Sequence, residues 1–192
     1  MKIYSNSEIK SKLNLALDKL YVKDWYLLRN SVHERSITHK LGEYLQEFFP
    51  EYDVDCEYDY DIENKDGGFK KQIYGFFSTQ IKDIKNKLKD LGQGYVPENE
   101  IQEYLKEITK NFYPDIIIHK RGTNKHNLLV IEAKKNSGDS TFDQEKLIAL
   151  CEEKGRNHYK YQLGVSLILS NGENFAREDV KQKFFPKNEK KK

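Results

Sequence analysis

The chain has 192 residues, two cysteines and a net charge of +2. That is enough residues to bury one core without disulfide or metal staples, and no apolar run approaches the roughly 20 residues that span a bilayer. With bulk charge near balance, affinity for a polyanion has to come from a local site. Cys56 and Cys151 lie inside apolar segments and the chain opens without a secretory pattern, so the expectation is a reduced, cytoplasmic protein without membrane contact.

Ser5 and Glu8 have capping-box spacing, and Ile9, Leu13, Ala16, Leu17 and Leu20 recur at helical spacing, predicting an N-terminal amphipathic helix. Ser31 and Glu34 repeat the signal ahead of Ile37, Leu41, Tyr44, Leu45 and Phe48, with Pro50 closing a second helix. Over residues 54–60 the period changes to two, with Val54, Cys56, Tyr58 and Tyr60 on one face of a half-buried strand. Two further helices are predicted over 76–112. One carries Phe77, Ile81, Ile84, Leu88 and Leu91, the other Ile101, Tyr104, Leu105, Ile108 and Phe112.

Pro114 disfavours helix at Tyr113, so residues 115–119 should be a strand and 127–134 a second one paired with it as a hairpin. Thr141 and Gln144 open a helix through Leu147, Leu150 and Cys151. Residues 163–169 form an apolar strand, Asn171 and Gly172 a turn, and 175–185 a last short helix. The core order of helix, strand, strand, strand, helix, strand predicts an α/β fold, its mixed central sheet flanked by helices, with an extra N-terminal helix and the inserted helical pair. A single domain covers 1–186, with its core at 31–170, and 187–192 is a basic tail predicted to be disordered.

Glu132 and Lys134 are two residues apart on a strand and share a face, while Asp115 begins the preceding strand. Charges at the end of a strand that is apolar on both faces need pairing, water or a metal. If the strands are neighbours, the two carboxylates converge on one divalent cation. Phosphodiester hydrolysis uses such an arrangement: carboxylate oxygens hold Mg²⁺, the ion acidifies water, and an ammonium stabilises developing charge. Glu34 lies about 20° from Leu41 and Leu45 around its helix, on the apolar stripe. It is either the second half of a helix cap with Ser31 or part of the site.

Acid-x-lysine spacing also occurs at Glu8/Lys10, Glu63/Lys65, Asp83/Lys85 and Glu152/Lys154, so the tripeptide gains meaning only from its strand context. The five histidines lack metal-ligand spacing, and no P-loop, dinucleotide fingerprint or serine-hydrolase elbow is present. Tyr159 and Tyr161 fit core packing better than base stacking. Lys135, Gln144 and Lys146 follow the motif closely, and each fits surface solvation better than contact with substrate phosphates.

Tyr113-Pro114-Asp115, followed by Leu129-Val130-Ile131-Glu132-Ala133-Lys134-Lys135 within this element order, resembles the restriction-endonuclease-like PD-(D/E)xK nuclease superfamily over residues 31–170. The stretch from His33-Glu34-Arg35 to Leu41, with Val54-Asp55-Cys56-Glu57-Tyr58, resembles small bacterial members. The resemblance implies a Mg²⁺-dependent nuclease, with Mn²⁺ able to substitute, acting on nucleic acid and DNA in particular, and it allows a homodimer. It assigns metal binding to Asp115 and Glu132 and assistance of the attack to Lys134, and it matches Glu34 to a glutamate that many members carry on the helix before the first core strand. The alternatives are a binding module on the same fold without turnover, and a helix-rich interaction protein whose charges are solvated faces.

Overall fold

The computed structural model describes residues 2–63, 65, 68, 70–74, 109–135, 141–152 and 157–186. Its elements are α1 (Asn6–Lys23), α2 (Trp25–Arg29), α3 (Glu34–Phe48), β1 (Asp53–Cys56), β2 (Gln72–Tyr74), β3 (Thr109–Asn111), β4 (Ile116–His119), β5 (Leu129–Lys135), α4 (Thr141–Cys151), β6 (Leu163–Leu169), a 3₁₀ turn (Arg177–Asp179) and β7 (Lys181–Pro186). The fold is mixed α/β, with a five-stranded sheet ordered β1-β4-β5-β6-β7. β5 and β6 are parallel and the other neighbours antiparallel. The expected core order runs through α3, β1, β4, β5, α4 and β6.

Strand alternation assigns the two faces. Ile116, Ile118, Leu129, Ile131, Ala133, Leu163, Val165, Leu167 and Leu169 pack with α1 and α3 in one core. Ile117 and Val130 face the other way, into a second core with Leu147, Leu150 and Cys151 of α4 and with Ile73, Phe112, Tyr159 and Tyr161. Both tyrosines are fully buried, as core packing requires. Two glycines permit close approach: a Cβ at Gly42 of α3 would meet Cys56 Sγ at 2.9 Å, and one at Gly164 of β6 would meet Cys151 Sγ at 3.0 Å.

α1 has its capping box, with Ser5 Oγ accepting the Glu8 N–H at 3.2 Å and Glu8 Oε2 accepting the Ser5 N–H at 2.8 Å. The second expected box does not form. α3 begins at Glu34, with His33 as N-cap, whose Nδ1 accepts the Arg35 N–H at 3.3 Å. Ser31 instead has a φ of 48° in the turn after α2, a short helix that the sequence pattern did not indicate.

Three further expectations are corrected. β1 stops at Cys56 because Glu57 has a φ of 51° and donates its N–H to the Pro114 carbonyl at 3.0 Å, which turns Tyr58 toward the second core. Of the helical pair expected over 76–112, all but 109–112 lies outside the described residues. Residues 109–111 are strand, paired with β2. The segment 175–185 is the 3₁₀ turn and β7, whose ladder with β6 satisfies backbone groups that a free-standing short helix would leave to water.

Opposite the motif end of the sheet, two histidines brace loops. His119 Nε2 lies 2.9 Å from Asp55 Oδ2, and His158 Nε2 lies 2.8 Å from buried Asp61. Arg121 also grips Asp55.

Candidate active site

The register of β4 with β5 pairs Ile116 with Ile131 and Ile117 with Val130. One step further along that antiparallel register, Asp115 stands opposite Glu132, and directly opposed residues project from the same face. That face is α4's. The strand pairing thus brings together the two carboxylates that the sequence placed on separate strands.

Pro114 keeps residue 113 out of the helical region and leaves Asp115 just ahead of β4. Asp115 Oδ2 accepts the Ala133 backbone N–H at 2.7 Å, so the side chain fastens itself to the middle of the Glu132-Ala133-Lys134 tripeptide. Burial raises the Asp115 pKa. The Ala133 N–H and the nearby Lys134 charge oppose that rise, and Glu34 adds to it.

Glu132 is deeper, with a side chain 4% exposed. Its Oε2 accepts from Lys146 Nζ at 3.0 Å, and its Oε1 is buried without a hydrogen-bond partner among the described residues. Burial pushes its pKa up to about 8, Asp115 and Asp143 adding to the effect while Lys146 works against it. Burial would lower the Lys146 pKa, but the carboxylates of Glu132 and Asp143 outweigh it and raise the value.

Lys134 Nζ sits 3.8 Å from Glu34 Oε1 and 3.9 Å from Asp143 Oδ2, with about a third of its side chain exposed. Glu34 Oε2 accepts the Lys135 backbone N–H at 3.1 Å. The first residue of α3 is thereby tied to the end of β5, and the site reading of Glu34 acquires a geometry that the cap reading lacks. All four expected site residues, Asp115, Glu132, Lys134 and Glu34, gather where β5 emerges between the N-termini of α3 and α4.

Asp143 and Lys146 were not expected in the cluster. Lys146 is not a solvated lysine: it is half-buried between Glu132 and Asp143, 2.7 Å from the latter. The signal was present in the spacing: Asp143, Lys146, Leu147 and Leu150 fall three or four residues apart on one helix face. That places two charges on the stripe that must face the sheet. Lys135 Nζ is engaged by the Ser31 and Val32 carbonyls at 3.0 and 2.8 Å, and Gln144 contacts Lys183.

Four carboxylates, from Glu34, Asp115, Glu132 and Asp143, therefore face two ammonium groups, an excess of negative charge that a cation would relieve. Among the described residues, no group of three or more histidine, cysteine, aspartate or glutamate side chains is arranged to hold a metal ion. Mg²⁺ commonly binds through only one or two carboxylates, completing its octahedron with water and substrate oxygens. The opposed Asp115 and Glu132, with an unsatisfied buried oxygen on Glu132, fit that demand. Comparison of the chain with protein-family models, curated proteins and solved structures returns no match.

Proposed function

We propose that the protein is a divalent-metal-dependent nuclease of PD-(D/E)xK type that hydrolyses phosphodiester bonds, with DNA as substrate. The observation that carries this reading is the opposition of Asp115 and Glu132 across the β4-β5 pair, with the Lys134 ammonium two residues beyond. Asp115 and Glu132 would hold Mg²⁺ or Mn²⁺, which when bound acidifies water and polarises a phosphoryl oxygen.

The chain's own groups do the remaining work. Asp115 is fixed by the Ala133 N–H, so one of its oxygens is committed to the backbone and the other is left for a ligand. Lys134, 3.8 Å from Glu34 and 3.9 Å from Asp143, would stabilise an incoming hydroxide or the charge developing on phosphorus. Glu34 keeps that ammonium near the end of the strand and accepts the Lys135 N–H.

No helix among the described residues is long and apolar enough to cross a membrane. Cys56 and Cys151 are free, which supports a reducing, cytoplasmic setting. A second reading, a nucleic-acid-binding or protein-interaction module without turnover, draws on the Glu132–Lys146 pair, which already supplies a cation to one would-be ligand. Incubating the protein with plasmid, linear duplex, branched and single-stranded DNA in Mg²⁺ or Mn²⁺ tests the choice. Cleavage that EDTA stops supports the nuclease, and metal-independent binding without cleavage supports the module.

A further inference from the structure

Lys146 reaches the cluster from the second turn of α4 with its ammonium between the Phe112 and Phe142 rings, 5.4 and 5.2 Å from their centroids. It takes Glu132 Oε2 at 3.0 Å and Asp143 Oδ1 at 2.7 Å. Asp143 turns its other oxygen toward Lys134 at 3.9 Å, so one carboxylate links both ammonium groups. Glu132 Oε1 is left buried and without a partner among the described residues.

A carboxylate fails as a metal ligand when it can rotate its free oxygen away from the ion. An ammonium fixed on the other oxygen opposes that rotation. We propose that Lys146 is a positioning residue that holds Glu132 oriented, presenting Oε1 to a divalent cation shared with Asp115, while Asp143 anchors Lys146 in that role. The inference rests on the nuclease reading for the assignment of Glu132 as a ligand. It adds that the metal site depends on a lysine outside the strand motif.

The test is Mg²⁺ titration by calorimetry of the full chain without nucleic acid, with melting curves of the metal-free proteins alongside. Lys146→Met keeps an apolar stem against Phe112 and Phe142 but removes the charge, and it should weaken Mg²⁺ binding about 10- to 100-fold, the scale for losing a group that orients a ligand. Lys146→Arg should stay within about fivefold of wild type because it keeps the charge. A role in packing alone would favour methionine over arginine. Should Lys146→Met fail to fold, Asp143→Asn, which loosens the anchor and leaves the ammonium, should weaken binding in the same direction. Wild-type binding that Lys146→Met leaves unchanged or tightens overturns this proposal alone. Wild-type protein that binds no Mg²⁺ overturns the ligand reading of Glu132 and this proposal with it.

Discussion

Glu34 and Lys135, 101 residues apart in sequence, are joined by one hydrogen bond, from the Lys135 N–H to Glu34 Oε2 at 3.1 Å. The first turn of α3 is therefore registered against the end of β5, where Lys134 meets Glu34 Oε1.

Glu34→Gln should melt within about 1 kcal/mol of wild type, because a glutamine oxygen can still accept the Lys135 N–H. At limiting Mg²⁺ its cleavage rate should fall about tenfold or more, through loss of the charge beside Lys134. Ser31→Ala should be nearly silent, whereas His33→Ala should cost about 0.5–1 kcal/mol as the true cap. Rates measured against metal concentration, beside melting curves, decide it: unchanged metal dependence in Glu34→Gln removes Glu34 from the site.

Asp115→Asn and Glu132→Gln should each abolish metal-dependent cleavage and leave the fold intact. For Glu132 the pH dependence has a definite sign. Its folded pKa of about 8 lies above the ordinary glutamate value, so between the two the folded chain holds a proton that the unfolded chain has released, and stability falls as pH rises. Glu132→Gln removes that penalty. In metal-free denaturant titrations it should gain on wild type from about pH 4.5 to 8, by on the order of 1–3 kcal/mol. A variant that loses ground as pH rises contradicts this assignment.

Lys134→Ala should slow cleavage by roughly two to four orders of magnitude, the scale for one positioned electrostatic or acid/base group. Arginine should rescue it poorly, because a planar fork does not replace a compact ammonium in this space. Single-turnover rates at saturating Mg²⁺ isolate the effect, and a wild-type rate in Lys134→Ala would exclude the residue.

Lys71, 1% exposed, carries its ammonium over the rings of Tyr159 and Tyr58, 4.9 and 5.6 Å from their centroids. Burial pushes its pKa down to about 8 against the pull of Asp61, Asp55 and Asp59. Between that value and the ordinary lysine value the unfolded chain binds the extra proton, so this group's contribution to stability rises with pH and its penalty is full below pH 8. Lys71→Met should stabilise the protein at pH 7 by on the order of 1–3 kcal/mol, with the gain fading by about pH 10.5. Paired unfolding curves at both pH values give the comparison; a loss at pH 7 would mean that the cation–π contacts outweigh desolvation.

The sequence was legible where one period ran long enough to exclude the other. The apolar stripe of α3, the runs in β4, β5 and β6, and Pro114 ahead of Asp115 located the core elements and three site residues. Short segments were not legible. Over 109–112 and 181–185 a helical and a strand period fit equally well, and the outcome was set by ladders with β2 and β6 that no local pattern encodes. Glu34 stood at cap spacing from Ser31, and only the turn at Ser31, with its φ of 48°, shows why that cap cannot close. Lys146 looks like a surface lysine in isolation, and only its i, i+3 relation to Asp143 on the face carrying Leu147 and Leu150 marks it as facing the sheet.

β7 has a consequence for behaviour at high concentration. Among the described strands it is the outermost on its side of the sheet, and an outermost strand exposes a row of backbone donors and acceptors to any passing chain. Exposed Lys181 and Lys183 give this border like charges that a second copy would have to bring into register, and exposed Pro186 lacks the N–H to continue a ladder. The other border among the described strands, β1, is only four residues long. Among the described strands, a charged, proline-ended border and a short one thus both discourage the sheet from growing from one molecule into the next.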